Sequence, residues 1–209
     1  MVTREREYTI DDVWRLERQP MNLAEKYYLI DGELCVKMSP SHSHGSIASE
    51  IARLLGNHVV ERGLGRVTIE VGYHPSGERH TVLLPDVAFE SWARAARKPL
   101  KTYAPYMPDL AVEVVSPSQT LAETRRKAAV YLRHGTDMVW LIDPERNKAE
   151  WWSAADDGTA KSEIIEMDGE LKGGALLPGF TLPLRRLFSL YSLHSTRLTG
   201  DMARGVIVF

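Results

Sequence analysis

The sequence predicts an α/β unit, and three observations predict it. Helical and strand periods alternate along the whole chain, with no internal repeat and no low-complexity linker. Two short apolar runs, "LLPDVAF" and "DLAVEVV", read as strands buried in a sheet. A capped helix then separates the second run from a further apolar strand, "DMVWLIDP", giving the order strand, helix, strand.

A length of 209 residues suits one domain, 1–209, with enough chain to bury a core. With 26 Lys+Arg against 28 Asp+Glu the chain is nearly neutral, so any basic surface must be local. The single cysteine, Cys35, excludes an internal disulfide. "MVTREREYTIDD" lacks the apolar core of a signal peptide, and no stretch approaches the roughly 20 apolar residues of a bilayer span. The expected location is the cytoplasm, with no membrane partner.

In order along the chain, "TIDDVWRLERQP" predicts a short helix capped at Thr9 and stopped at Pro20. "KYYLIDGELCVKM" predicts a hairpin turning at Asp31-Gly32, the pair favoured in two-residue type I′ turns. "SPSHSHGSIASEIARLLGNHVVERG" places Ile47, Ile51, Leu54, Leu55 and His58 on one helical stripe and ends at Gly63. "RVTIEVGY" and "TVLLPDVAFE" read as strands. "SWARAARKPLKTYAPYMP" has no clean period and reads as an exposed excursion carrying four cations and no acid. "TLAETRRKAAVYLRHG" predicts a helix with a Thr120/Glu123 capping box and a Gly135 stop. The tail from Asn147 offers short apolar pieces between Asp-Gly and Pro-Gly turns, expected to extend the sheet and end in a helical turn.

Two of the buried-looking strands each carry one acid, Asp86 in "LLPDVAF" and Glu113 in "LAVEVV". An ionised carboxylate among apolar neighbours is costly unless paired, hydrogen-bonded or bound to a metal. Two carboxylates on adjacent strands would raise each other's pKa, and removing either would relieve repulsion, unless a cation lay between them. Oxygen ligands of this kind favour Mg²⁺ or Mn²⁺, which suits polarising a phosphodiester and activating water.

Pro85-Asp86 followed by Glu113 resembles the PD-(D/E)XK nuclease pattern, although the position two residues after the glutamate is Val115 rather than lysine. "EVVSPS", then Lys127 and Tyr131, then "VWLIDP", together with "LIDGEL", "MSPSHSH" and "LPGFTLPL", closely resembles the Uma-two family of bacterial restriction-endonuclease-like proteins, over about Tyr27 to Phe188. The resemblance implies a mixed central sheet flanked by helices, with Asp86 and Glu113 as metal ligands and catalytic residues. It moves the lysine to Lys127, on the following helix, and His44 matches a histidine common in the family. Where a glutamate is expected before "LIDGEL" this chain has Tyr28, so the upstream acid is missing or served by Glu25 or Glu33. The expected activity is Mg²⁺- or Mn²⁺-dependent hydrolysis of nucleic acid, with DNA the expected polymer and a homodimer left open. The alternative is a non-catalytic nucleic-acid-binding or scaffold protein that retains the fold.

Other readings of the same residues stand beside these. Asp86 could be a turn acid bonding to backbone N–H groups, and Glu113 half of a structural ion pair. His44 lies one turn before Ile47 and could be a core histidine. Tyr131, four residues from Lys127, could serve as supporting structure, and Lys127 could form only an exposed pair with Glu123. The excursion, with Arg94, Lys101, Trp92, Tyr103 and Tyr106, could track phosphates with stacking residues or be a solvated loop.

Overall fold

The structure, a computed structural model, describes residues 7–22, 25–96, 100–117, 119–155 and 158–189. Its first helix, α1 (Ile10–Leu16), begins at Thr9, whose hydroxyl accepts from the Asp12 amide while Asp12 returns the bond, a complete capping box. Strands β1 (Lys26–Ile30) and β2 (Glu33–Lys37) pair antiparallel. Their turn has φ of 50° at Asp31 and 84° at Gly32, the left-handed pair that a type I′ hairpin needs.

Helix α2 (His42–Glu61) starts at the Ser41 cap and buries Ile47, Ile51, Leu55 and His58 of the expected stripe together with Val59, while Leu54 is half-buried. Then follow β3 (Gly65–Ile69), β4 (Val87–Ser91) and β5 (Leu110–Val114). Helix α3 (Leu121–Arg133) carries the Thr120/Glu123 capping box and leads to β6 (Met138–Asp143). Strands β7 (Lys148–Ala154) and β8 (Ala160–Ile165) extend the sheet, and β9 (Glu170–Lys172) pairs with β10 (Thr181–Pro183) as a separate ribbon. The chain is helical again at 184–189.

The six-stranded sheet runs β3-β4-β5-β6-β7-β8, parallel at β5/β6 and antiparallel at its other steps, so it is mixed. The parallel step is the one bridged by α3, as a parallel pair requires a crossover. Alternation along β5 divides its residues between two layers. Leu110, Val112 and Val114 join Val87, Phe89, Trp140 and the apolar stripe of α2. Ala111 joins Ala88, Val139, Leu141 and, from α3, Ala128 and Tyr131. A third cluster joins Val13 of α1 to Tyr27, Leu29, Val82, Leu84 and Tyr103. Among the described residues no helix is long and apolar enough to cross a membrane.

Two boundaries differ from expectation. "RVTIEVGY" ends as a strand at Ile69, because Glu70 takes a left-handed φ of 51° and breaks the ladder. In "TVLLPDVAFE" the strand begins only at Val87, so Asp86 stands at its mouth; Pro85, lacking an N–H, cannot join the ladder before it. The excursion also differs: Tyr103 is buried with its hydroxyl on Glu17, so its ring is not free to stack on a base, and the half-buried Tyr106 turns its hydroxyl onto Glu90. Arg94 is turned inward onto the carbonyls of Pro108 and Gly135, and Arg97 lies outside the described residues.

Candidate active site

The site is built where β4 begins and β5 ends. Strands β4 and β5 pair Val87 with Val112 and Ala88 with Ala111; continuing that register by one residue sets Asp86 opposite Glu113, on the face that α3 covers. Opposite residues of an antiparallel pair project to the same side. The Asp86 amide donates to the Val112 carbonyl at 3.0 Å, which fixes the residue although it lies outside the strand proper.

Each acid has its own partners. Asp86 Oδ2 accepts from the Val114 amide at 2.8 Å and lies 3.0 Å from His44 Nε2, while Oδ1 lies 2.9 Å from Lys37 Nζ. Glu113 Oε1 accepts from the Tyr131 hydroxyl at 2.9 Å, and Oε2 lies 3.3 Å from Lys127 Nζ. All of these side chains are nearly enclosed; those of Asp86 and Glu113 are 4% and 3% exposed. Burial pushes the Asp86 carboxyl up, but the His44 hydrogen bond and the Lys37 charge outweigh it and hold the group below the usual carboxylate range. The Lys37 ammonium is held above its ordinary value because the Asp86 and Glu113 charges outweigh its burial. Burial, reinforced by Glu113, pushes the Tyr131 hydroxyl well up, so it stays a donor.

These contacts overturn the expectation of two mutually repelling carboxylates, because each acid faces its own ammonium. They also overturn the exposed Lys127–Glu123 pairing, since Lys127 is buried and turned toward β5. The geometric opening that Val115 left is met from α3: Lys127 Nζ reaches the glutamate that a lysine at 115 would have accompanied. His44, Asp86, Glu113, Lys127 and Tyr131 are therefore brought together. Glu33 is not: it shares a face of β2 with Lys37 but stands four residues, roughly 13 Å, along the strand, where it pairs with Arg126 at the surface. Glu25 accepts from the Tyr27 hydroxyl instead of entering the site.

The position expected to hold the upstream acid does face the site. Tyr28 lies with its ring centroid 4.4 Å from Lys127 Nζ, a cation–π contact. Two further residues escaped sequence reasoning, Lys37 and Glu70. Continuing the β3/β4 register past Ile69–Val87 brings Glu70 beside Asp86, and Lys37 Nζ lies 3.6 Å from Glu70 Oε1. Glu70 also pairs with Lys26. The one signal for Lys37 was its place at the end of an otherwise apolar hairpin arm; Glu70 looked like any outward residue of an alternating strand.

As a donor set, Asp86 and Glu113 fit a small divalent cation, because Mg²⁺ takes one or two carboxylates and completes its shell with water and substrate phosphate. Among the described residues no group of three His, Cys, Asp or Glu is placed to hold a metal ion, so the protein would supply the two acids alone. His44 leaves its buried Nδ1 without a hydrogen-bond partner in the structure.

Comparison with known proteins agrees with this architecture. No curated protein matches the chain. A solved structure from Anabaena variabilis ATCC 29413, titled as "a putative nuclease belonging to DUF820", superposes with a TM-score of 0.73 at 24% identity, covering 87% of this chain and 98% of that one. At that identity the likeness shows the fold. A family model, Uma2, described as "Putative restriction endonuclease", matches residues 12–185, which contain every residue of the site. The chain belongs to the Uma2 family of restriction-endonuclease-like proteins.

Proposed function

We propose that this chain is an endonuclease, one domain carrying the whole site, that hydrolyses phosphodiester bonds of nucleic acid, with DNA the expected polymer and Mg²⁺ or Mn²⁺ the expected ion. The observation that carries the reading is Asp86 set opposite Glu113 with Lys127 Nζ 3.3 Å from the glutamate. Asp86 and Glu113 would hold the ion, which when bound polarises the scissile phosphate and lowers the pKa of water.

The rest of the work falls to the chain. His44 and the Val114 amide fix one oxygen of Asp86, leaving Oδ1 turned toward Lys37. Tyr131 holds Glu113 in one rotamer. Lys127, with a fixed charge beside Glu113, orients the attacking water or meets the negative charge that builds on the phosphate. Enclosure of these groups strengthens each interaction relative to water.

The test is cleavage of supercoiled plasmid DNA and of a structured RNA with Mg²⁺ or Mn²⁺, and with chelator. Wild type is expected to nick DNA only with metal, and Asp86→Asn and Glu113→Gln to lose at least about a hundredfold in rate. A second reading, a nucleic-acid-binding protein without turnover, is favoured by Tyr28 standing where the upstream acid is expected and by the prior pairing of both acids. Metal-independent DNA binding with no cleavage by wild type would establish that reading in place of the first.

A further inference from the structure

Lys37 is the one cation of the site that neither the motif nor the proposed chemistry uses. It closes β2, and its side chain is only 8% exposed. Its ammonium has three donors and meets three oxygens: Leu84 O at 3.1 Å, Asp86 Oδ1 at 2.9 Å and Glu70 Oε1 at 3.6 Å. The second oxygen of Asp86 is already occupied by His44 and the Val114 amide. The oxygen that an incoming cation would have to use is therefore the one that Lys37 holds.

We propose that Lys37 is a resident counter-cation that holds the open oxygen of Asp86, so that a divalent metal ion binds there only by displacing it. The proposal rests on the reading of Asp86 as a metal ligand. An ion ligated to Asp86 Oδ1 at about 2.1 Å would stand within a few ångströms of an ammonium 2.9 Å from the same oxygen. In an enclosed site that repulsion is large, and the long lysine stem offers a way out of it. Charge balance points the same way. Each acid already has an ammonium, Glu70 with Lys26 and Lys37, Asp86 with Lys37 and Glu113 with Lys127, so none awaits an ion for want of a cation. Lys37 thus sets the ion concentration at which the site loads.

The experiment is calorimetric titration of the full chain with Mn²⁺ alone. Lys37→Met keeps most of the stem and removes the charge, and Lys37→Gln keeps a donor for the Leu84 carbonyl should the methionine variant fail to fold. Either variant is expected to bind Mn²⁺ about tenfold or more tightly than wild type, because a like charge has been removed from an enclosed site. Adding Asp86→Asn to the variant should abolish the gain, which places the gain at that oxygen. Equal or weaker binding in both variants overturns the role of Lys37, and leaves the nuclease reading standing if Asp86→Asn still removes wild-type binding. Binding by the variants but not by wild type supports the displacement proposal while removing the ion from the native nuclease reading. Failure of every form to bind Mn²⁺ overturns both.

Discussion

Lys127 and Glu113 lie 14 positions apart, on α3 and β5, and their charged ends meet at 3.3 Å inside the protein. The contact joins the helix to the strand that precedes it. It also places an ammonium beside the glutamate without any lysine on the strand itself.

Replacing Lys127 with Met therefore tests chemistry and structure together. It leaves Glu113 buried with the neutral Tyr131 hydroxyl as its remaining side-chain donor. A destabilisation of about 3 kcal/mol is expected from breaking an enclosed pair, measured by denaturant unfolding. Cleavage should fall at least about a hundredfold while Mn²⁺ binding persists. A loss of only a few tenths of a kcal/mol would mean that Lys127 is at the surface after all.

The Asp86 carboxyl, held low in the folded protein, makes stability depend on acid. A depressed folded pKa contributes stability that is present above the unfolded value of about 3.9 and is lost as pH falls below it. Lys37, held high, acts in the opposite sense: its contribution is complete below about 10.4 and is lost as pH rises through the folded value. The wild-type Tm should drop between about pH 5 and 3 more steeply than that of Asp86→Asn, and parallel curves would remove Asp86 from the acid response.

Removal of the Tyr131 hydroxyl by Tyr131→Phe keeps the ring in its apolar layer and deletes one hydrogen bond to a buried carboxylate. The expected cost is about 1.5 to 3 kcal/mol, the range for bonds to charged groups. Cleavage should fall as well, because Glu113 loses one of the two groups that orient it; unchanged rates would confine Tyr131 to packing.

Arg94 offers a contrasting case. Its guanidinium is spent on Asp109 and Asp137 and on the carbonyls of Pro108 and Gly135. Arg94→Ala should lower Tm, through the loss of buried partners on Asp109, yet leave DNA affinity and its salt slope unchanged. A shallower salt slope by about 1 would show that this arginine contacts phosphate.

Much of the fold was legible because its signals are local. Capping at Thr9 and Thr120, the Asp31-Gly32 turn and the stripe of α2 each depend on residues within one or two turns. Asp86 and Glu113 were legible because a charge in an apolar run demands a partner. The identity of the partners was not. Lys37 and Glu70 reach Asp86 only through cross-strand placement, and the hydroxyls of Tyr103 and Tyr106 are held by Glu17 and Glu90, far away in sequence. No period within a single segment reports such distances.

The β1-β2 hairpin carries a last consequence, for the timing of opening and closing. It meets the rest of the protein through the Leu29–Val82 backbone pair, through the side chains of Tyr27, Tyr28, Leu29 and Ile30 on β1, through Lys37 and Lys26 at the site, and through two exposed bridges, Glu33–Arg126 and Asp31–Arg133. Exposed bridges contribute at most about 1 kcal/mol each and no residue of β2 is fully buried, so the ribbon is fastened less firmly than β5 or β6, whose residues are buried throughout. Native-state hydrogen exchange should find the amides of Lys26–Ile30 and Glu33–Lys37 opening together, at a lower free energy than those of β5 and β6. Each such excursion would carry Tyr28 and Lys37 away at once, uncovering Asp86 and Glu113 to solvent while the sheet beneath stays folded.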